Sequence, residues 1–169
     1  MPTIKNLRAL FLSTVVFALL LSAPSALAQT DQLRVDYTVA IADLDKQLFH
    51  VTTEVKNIKE PSLTLSLPTW TPGWYTIENY AKNILRFKIT DAQGNWLQPT
   101  MTRKQTWRVD TKGLKQIKIE FDYKASVLAL NQAKITKDFA FFTGTQLFLE
   151  VVGHRHKPSR VRFEVHYWR

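Results

Sequence analysis

The chain has 169 residues, of which 45% are hydrophobic and 12% aromatic, with seven Pro and five Gly. This length suits a single domain, and the apolar fraction excludes an intrinsically disordered or collagen-like protein. The absence of cysteine excludes disulfides, thiolate metal sites and cysteine nucleophiles.

The N-terminus has the pattern of a secretory signal peptide. Two basic residues precede an apolar run over residues 9–21, which is shorter than the roughly 20 residues needed to span a bilayer. Ala26 and Ala28 then supply small residues at the −3 and −1 positions of a cleavage site. The sequence therefore predicts a signal peptide over 1–28 and a β-rich domain over 29–169.

This prediction has consequences for location and partners. Cleavage would lower the formal net charge from +9 to +7 and leave no transmembrane segment. We expect an exported protein, periplasmic or secreted, which does not meet nucleic acid. Its basic excess is then read as scattered solvated lysines that also discourage edge-to-edge pairing of strands.

Beyond residue 32, apolar and polar residues alternate with a period of two, which is typical of strands with one buried face. The predicted inward-facing residues are Leu33, Val35, Tyr37, Val39 and Ile41; Phe49, Val51, Thr53 and Val55; Leu63, Leu65 and Leu67; Leu85, Phe87 and Ile89; Trp107 and Val109; Ile117, Ile119, Phe121 and Tyr123; and Val161, Phe163 and Val165. Polar turns separate these runs. The pattern predicts an all-β protein, either an antiparallel β-sandwich or a saddle-like sheet, with one short helical segment.

That helical segment is predicted from Thr76 to Ile84, where the apolar residues have i, i+3, i+4 and i+7 spacing. A turn over 91–95 is expected to feed a short strand beginning at Trp96. The stretch 126–138 fits neither period, and we expect a loop with helical turns there. Strand character resumes at Phe139 and again over 147–152.

No motif in the sequence assembles a catalytic site. None of the four histidines lies in an HExxH motif, no serine lies in a G-x-S-x-G elbow, and the five glycines are isolated. His154 and His156 could face one side of a strand, but zinc would need a further ligand. We predict no catalytic residue and no metal site in this chain.

The most unusual local sequence runs from Leu67 to Tyr75. Two prolines restrict the backbone, and Gly73 follows Pro72, where it can adopt a positive φ. Three large aromatic residues lie in the same stretch, Trp70, Trp74 and Tyr75. One interpretation makes them a rigid rim for a peptide or a sugar; the other is that Trp70 and Trp74 fill one end of the β-sandwich.

This stretch also carries a family resemblance. The run LPTWTPGWYTIENYAKNILRF, the strand around Trp107 and the later stretch AFFTGTQLFLEVVG resemble the N-terminal domain of metallopeptidase family 61. These are glycyl-aminopeptidase-type zinc enzymes in which a thermolysin-like catalytic domain and a PDZ domain follow. The matching loop positions are Trp70, Pro72, Gly73 and Tyr75, whose role the resemblance implies to be architectural, at the rim of the cleft.

The resemblance implies a domain that packs on a catalytic domain and helps to enclose its cleft. Zinc, its ligands and the general-base glutamate belong to that other domain, so this chain is expected to have no peptidase activity of its own. Its implied partners are the catalytic domain and a peptide substrate.

The last predicted strand runs into Arg169, where the family continues into the catalytic domain. We therefore expect a truncated or fragmentary chain. The alternative hypothesis is a free-standing periplasmic module that binds a peptide or glycan through the Trp70–Tyr80 region. An apolar surface left uncovered would favour the first hypothesis, and a concave site with polar groups beside the aromatics would favour the second.

Overall fold

The computed structural model describes residues 32–164. The predicted signal peptide over 1–28 and the inward-facing Val165 lie outside the described residues, so both stay predictions. No helix in the described part of the chain is long and apolar enough to cross a membrane.

Eleven strands make up most of the regular structure between residues 32 and 164. They are β1 (Arg34–Asp43), β2 (Leu48–Lys56), β3 (Ser62–Ser66), β4 (Ile84–Asp91), β5 (Thr100–Arg103), β6 (Thr106–Asp110), β7 (Gln116–Lys124), β8 (Lys134–Ile135), β9 (Ala140–Phe141), β10 (Glu150–Val151) and β11 (Ser159–Glu164). A 3₁₀ turn over Tyr80–Asn83 and one short helix, α1 (Gly144–Leu147), complete the order. The prediction of a mostly β protein is confirmed.

The strands form two larger sheets and one small one. The five-stranded sheet has the order β11-β1-β2-β7-β4, and the four-stranded sheet has the order β10-β3-β6-β5. Strands β8 and β9 pair with each other. Both larger sheets are open, and each has two edge strands.

The apolar residues of the two larger sheets share one hydrophobic core. Strand β7 contributes most clearly, because its predicted inward-facing side chains, from Ile117 to Tyr123, are all buried. Stacked rings of Phe87 and Trp107, with centroids 4.7 Å apart, join β4 of one sheet to β6 of the other. The period-two pattern thus identified the core face of the central strands correctly.

Strand β11 departs from the predicted antiparallel arrangement. It pairs with β1 in parallel, with Tyr37 opposite Val161 and Val39 opposite Phe163. A parallel partner needs a long crossover connection, and here the chain from β1 to β11 passes through the whole rest of the domain. Alternation alone carries no information about strand direction, so the sequence pattern could not have indicated this pairing.

The predicted helix over 76–84 is wrong. Only Tyr80–Asn83 forms a helical turn, of the 3₁₀ type, and Ile77, predicted to be on the apolar face, is 75% exposed. Leu85 is also exposed, because Arg86 has a positive φ of 54° and the register of β4 shifts there. A β-bulge of this kind re-aims the neighbouring side chains.

Three smaller predictions also need correction. Trp96 makes only an isolated bridge with Thr90, and the next strand begins at Thr100. The loop over 126–138 contains β8 instead of helical turns. The predicted strand over 147–152 shrinks to the two residues of β10, because Leu147 ends α1.

Two isoleucines offer a matched test of where the core lies. Ile119 is fully buried in β7, whereas Ile77 is exposed. Replacing Ile119 by Ala should lower the free energy of unfolding by about 2–5 kcal/mol, because the buried methyl groups are lost and a cavity is left. Ile77→Ala should change it by less than about 0.5 kcal/mol. Urea denaturation of both variants measures the difference; equal losses would contradict the core assignment.

Candidate functional site

The tryptophan loop, residues 67–79, connects β3 to the 3₁₀ turn and contains all four predicted loop positions. Its tip is a tight turn in which Trp74 N donates to Thr71 O at 3.0 Å. Pro72 precedes Gly73, whose φ is +83°, as a type II turn requires at its third residue. The expected positive φ at Gly73 is therefore confirmed.

A buried glutamine from outside the loop holds both of its ends. Gln105 lies in the two-residue turn between β5 and β6 and is only 1% exposed. Its Nε2 donates to Pro68 O at 3.3 Å and to Glu78 O at 2.9 Å, while Ala81 N donates to its Oε1 at 3.2 Å. One amide therefore satisfies backbone groups at the start and the end of the loop.

The loop is also closed by its own contacts. Glu78 N donates to Thr69 O at 2.8 Å across the loop. The Glu78 carboxylate accepts from Trp74 Nε1 at 2.8 Å and from Asn131 Nδ2. The same oxygen, Oε1, receives both donors, so one carboxylate ties the loop to the segment over 126–133.

A row of hydroxyl groups lies behind the loop tip. Thr71 Oγ1 is 3.3 Å from Tyr80 OH and 3.1 Å from Thr145 Oγ1. Thr145 Oγ1 is in turn 2.8 Å from Thr143 Oγ1, at the start of α1. Each hydroxyl can both donate and accept, so the row joins the tryptophan loop to α1.

Tyr123 lies in the core next to the 3₁₀ turn that follows the tryptophan loop. Burial raises the pKa of its phenol to about 12, and Asn83 Nδ2 donates to its oxygen at 3.1 Å. The phenol therefore stays neutral at ordinary pH and serves as a hydrogen-bonding group of the core.

The four predicted loop positions lie at the surface. Trp70 is 46% exposed and Tyr75 is 93% exposed, and Pro72 and Gly73 are exposed as well. The interpretation that Trp70 fills one end of the core is wrong, because almost half of this side chain is exposed. Trp74 is half-buried and hydrogen-bonded to Glu78. Glu78 lies within the run that carries the family resemblance and Gln105 next to the matching strand around Trp107, but no sequence pattern indicated that these two residues position the loop.

A groove runs beside the loop, between it and β10. Two adjoining cavities of about 480 Å³ and 320 Å³ share Pro68, Glu150 and Arg155. Polar side chains line the groove next to Trp70. Glu150 and Arg155 are the charged side chains that the two cavities share.

The histidines in the described part of the chain do not gather around a metal position. His154 Nε2 lies 3.3 Å from Glu60 Oε1, and His156 is exposed. Between residues 32 and 164, no three His, Asp or Glu side chains lie close enough to hold a metal ion together. The donor set of a zinc site is thus not assembled from these residues.

Gly73 gives the first prediction for the loop. A Cβ on Gly73 would meet no atom within 4 Å, so the cost of a side chain comes from the positive φ alone. Gly73→Val should lower the free energy of unfolding by more than about 1 kcal/mol. Gly73→Asn is the matched control and should cost less, since Asn tolerates this region. Equal thermal midpoints for Val and wild type would contradict the assignment.

Gln105 gives the second. Gln105→Ala would leave two carbonyls and one N–H without their partner, and each loss costs about 1–3 kcal/mol when the group is buried. We expect a fall of at least about 2 kcal/mol in denaturant unfolding and increased protease cleavage within residues 67–79. Gln98→Ala, at an exposed glutamine, should change neither quantity. An intact, protease-resistant loop in Gln105→Ala would show that Gln105 does not hold it.

Comparisons with known proteins agree with this architecture. A solved structure of an aminopeptidase N family protein from Idiomarina loihiensis is similar over 77% of this chain, with a TM-score of 0.70 and 24% sequence identity. That likeness shows the fold, and this chain spans only 22% of the length of that solved chain. No curated protein sequence gives a match. The sequence profile described as the Peptidase M61 N-terminal domain matches residues 36–167. This match covers most of the chain and confirms the resemblance, so the chain belongs to the Peptidase M61 N-terminal domain family.

Proposed function

We propose that this chain is a non-catalytic N-terminal domain that packs on the catalytic domain of a zinc aminopeptidase and helps to enclose its cleft. The observation that carries the proposal is an apolar surface on β11 and its neighbours that the described residues leave uncovered. Membership of a peptidase family supports a catalytic domain as the partner. The uncovered apolar surface supports β11 and its neighbours as the region that would contact it.

Strand β11 extends the core face of its sheet beyond the core. Phe163 lies opposite Val39 in the parallel pair, and paired residues in a sheet share a face. Val39 is buried, yet Val161 and Phe163 are 40% and 52% exposed. Exposed apolar residues that continue a core face are typical of an interaction surface.

An apolar cavity deepens this surface. It measures about 270 Å³ and is lined almost entirely by apolar side chains, including Val39, Phe49, Phe142 and Phe163. The rings of Phe142 and Phe163 lie 5.9 Å apart between centroids. We refer to Val161, Phe163 and this cavity as the β11 surface. An apolar side chain of a partner could be buried there.

The charge distribution on β11 fits a surface that is covered on one side only. Arg160 and Arg162 alternate with the apolar pair and, by the pleat of a strand, point to the opposite side of the sheet. The apolar side is therefore free of the two guanidiniums. A partner would bury apolar groups on one face and leave the arginines in solvent.

The rim of the cleft is proposed to lie at the tryptophan loop. Tyr75, Ile77, Leu128 and Leu130 are large and exposed, and the Glu78–Asn131 hydrogen bond connects the two segments that carry them. These residues would contact the partner or its peptide substrate. Trp70, Pro72, Gly73 and Tyr75 would all lie at this rim, where Pro72 and Gly73 shape the turn at the loop tip.

The remaining parts of the proposal rest on the sequence. The pattern over 1–28 supports export to the periplasm or beyond, and the chain is proposed to be a fragment of a longer peptidase. The chain contains no HExxH, so we assign zinc and the hydrolytic step to the catalytic domain of the proposed parent peptidase.

Charge substitutions test the docking surface. Phe163→Asp should weaken binding of this chain to a Peptidase M61 catalytic domain, prepared without its own N-terminal domain, by at least about tenfold, because an apolar contact is replaced by a desolvated carboxylate. Met101→Asp is the matched control, since Met101 is exposed on the other sheet. Biolayer interferometry measures both.

Thermal unfolding shows whether a loss of binding reflects a lost contact or a loss of folding. More than half of each side chain is exposed, so both variants should remain folded, with a somewhat lower thermal midpoint for Phe163→Asp because its contact with Phe142 is lost. Equal weakening by the two variants, or no binding by the wild-type chain, would contradict the proposed docking surface.

A further inference from the structure

The groove between the tryptophan loop and β10, which we term the Trp70–Thr145 groove, lies beside the proposed rim of the cleft, because the tryptophan loop forms one of its walls. Its larger cavity is lined by residues of β1, the tryptophan loop, α1, β10, the turn that follows and the start of β11. Its smaller cavity is lined by the end of β3, the start of the loop, β10 and the same turn. The two volumes, about 480 Å³ and 320 Å³, are in the range of small-molecule sites.

Hydroxyl groups dominate one wall of the larger cavity. Thr71, Thr143 and Thr145 all line it, and their oxygens form the hydrogen-bonded row described above. Because a hydroxyl can rotate to donate or to accept, such a row matches a ligand whose own groups are hydroxyls. The threonine hydroxyls themselves carry no charge that would attract an ion.

An ion pair lies where the two cavities meet. Arg155 Nη2 donates to Glu150 Oε2 at 2.8 Å, and Arg155 is the more exposed partner. A guanidinium has five N–H donors and a carboxylate about four acceptor positions, so most of both remain available. A donor and an acceptor side by side suit two adjacent hydroxyls of one ligand.

The Arg155–Glu150 pair is neutral overall and so does not by itself attract an anionic ligand. An acidic group that approached Arg155 would also meet the negative charge of Glu150, and like charges at short range repel. His154 Nε2 lies 3.3 Å from Glu60 Oε1, while its buried Nδ1 has no hydrogen-bond partner among the described residues. Lys157 adds one cation at the rim.

Trp70 completes the groove on its other side. It lines the smaller cavity and is almost half exposed. Its indole offers a flat apolar face, which the C–H face of a sugar ring can cover. A peptide would instead be held through main-chain hydrogen bonds along a strand edge, and β10 has only two residues.

We propose that the Trp70–Thr145 groove binds a neutral oligosaccharide, with one sugar ring on Trp70, adjacent hydroxyls on the Arg155–Glu150 pair and a further ring against the threonine hydroxyls. All of these contacts come from residues of this chain, so sugar binding can be measured without a catalytic domain.

The test uses the full chain and defined probes. Maltotriose, cellotriose and chitotriose, each up to about 10 mM, are titrated while tryptophan fluorescence and ¹H–¹⁵N chemical shifts are followed, because weak sites have millimolar Kd values. We expect at least one of the three to bind, with shifts at Thr71, Thr145 and Arg155. Trialanine serves as the peptide probe.

Matched variants locate the site. Trp70→Ala should weaken binding by about tenfold, and Arg155→Ala by about fivefold. Trp96→Ala and Arg103→Ala, at an exposed tryptophan and an exposed arginine outside the groove, should change the Kd by less than about twofold. Circular dichroism confirms that each variant is folded.

Three results would overturn the proposal: no binding by any of the trisaccharides, saccharide binding that Trp70→Ala and Arg155→Ala leave unchanged, or binding of trialanine in the groove in place of the saccharides. Because the assay needs no catalytic domain, its outcome is distinguishable from failure of the docking proposal.

Discussion

The buried amide of Gln105 is the interaction on which the exposed part of this domain depends. The tryptophan loop has no regular secondary structure of its own apart from the turn at its tip, so its backbone groups need partners elsewhere. Gln105 supplies them at Pro68, Glu78 and Ala81. It can do so because the β5–β6 turn has a positive φ of 53° at this residue and the side chain is directed inward.

Several features follow from that constraint. With the ends of the loop fixed, Glu78 can accept from both Trp74 and Asn131, and Thr71 is held within reach of Thr145. The loop therefore forms one wall of a groove while its other residues stay exposed. The β11 surface arises separately, from a parallel edge strand that continues the core face of its sheet. The domain thus presents a polar concave site and an apolar surface, for which we propose two different ligands.

The sequence predicted the fold class and the core face of the long strands well, because burial of one face imposes a period of two that is visible in β7 from Ile117 to Tyr123. The sequence-based prediction was wrong where contacts between distant residues determine the local conformation or the strand pairing. The i, i+3, i+4 spacing over 76–84 predicted a helix. Instead, Glu78 N donates to Thr69 O and Glu78 O accepts from Gln105, so these backbone groups are not available for helical hydrogen bonds. The direction of β11 and the role of Gln105 depend on contacts with residues far away in the sequence. Local sequence patterns do not predict such contacts. Gly73 was predictable because its turn is local.

The central claim is that the β11 surface and the tryptophan loop face a catalytic domain. Hydrogen–deuterium exchange of this chain, alone and bound to a Peptidase M61 catalytic domain, tests the claim most directly, since backbone amides covered by a partner exchange more slowly. The account predicts slower exchange in β11, in residues 139–142 and in the tryptophan loop, with little change in β5. Protection confined to β5 and its sheet, or no protection anywhere, would contradict it.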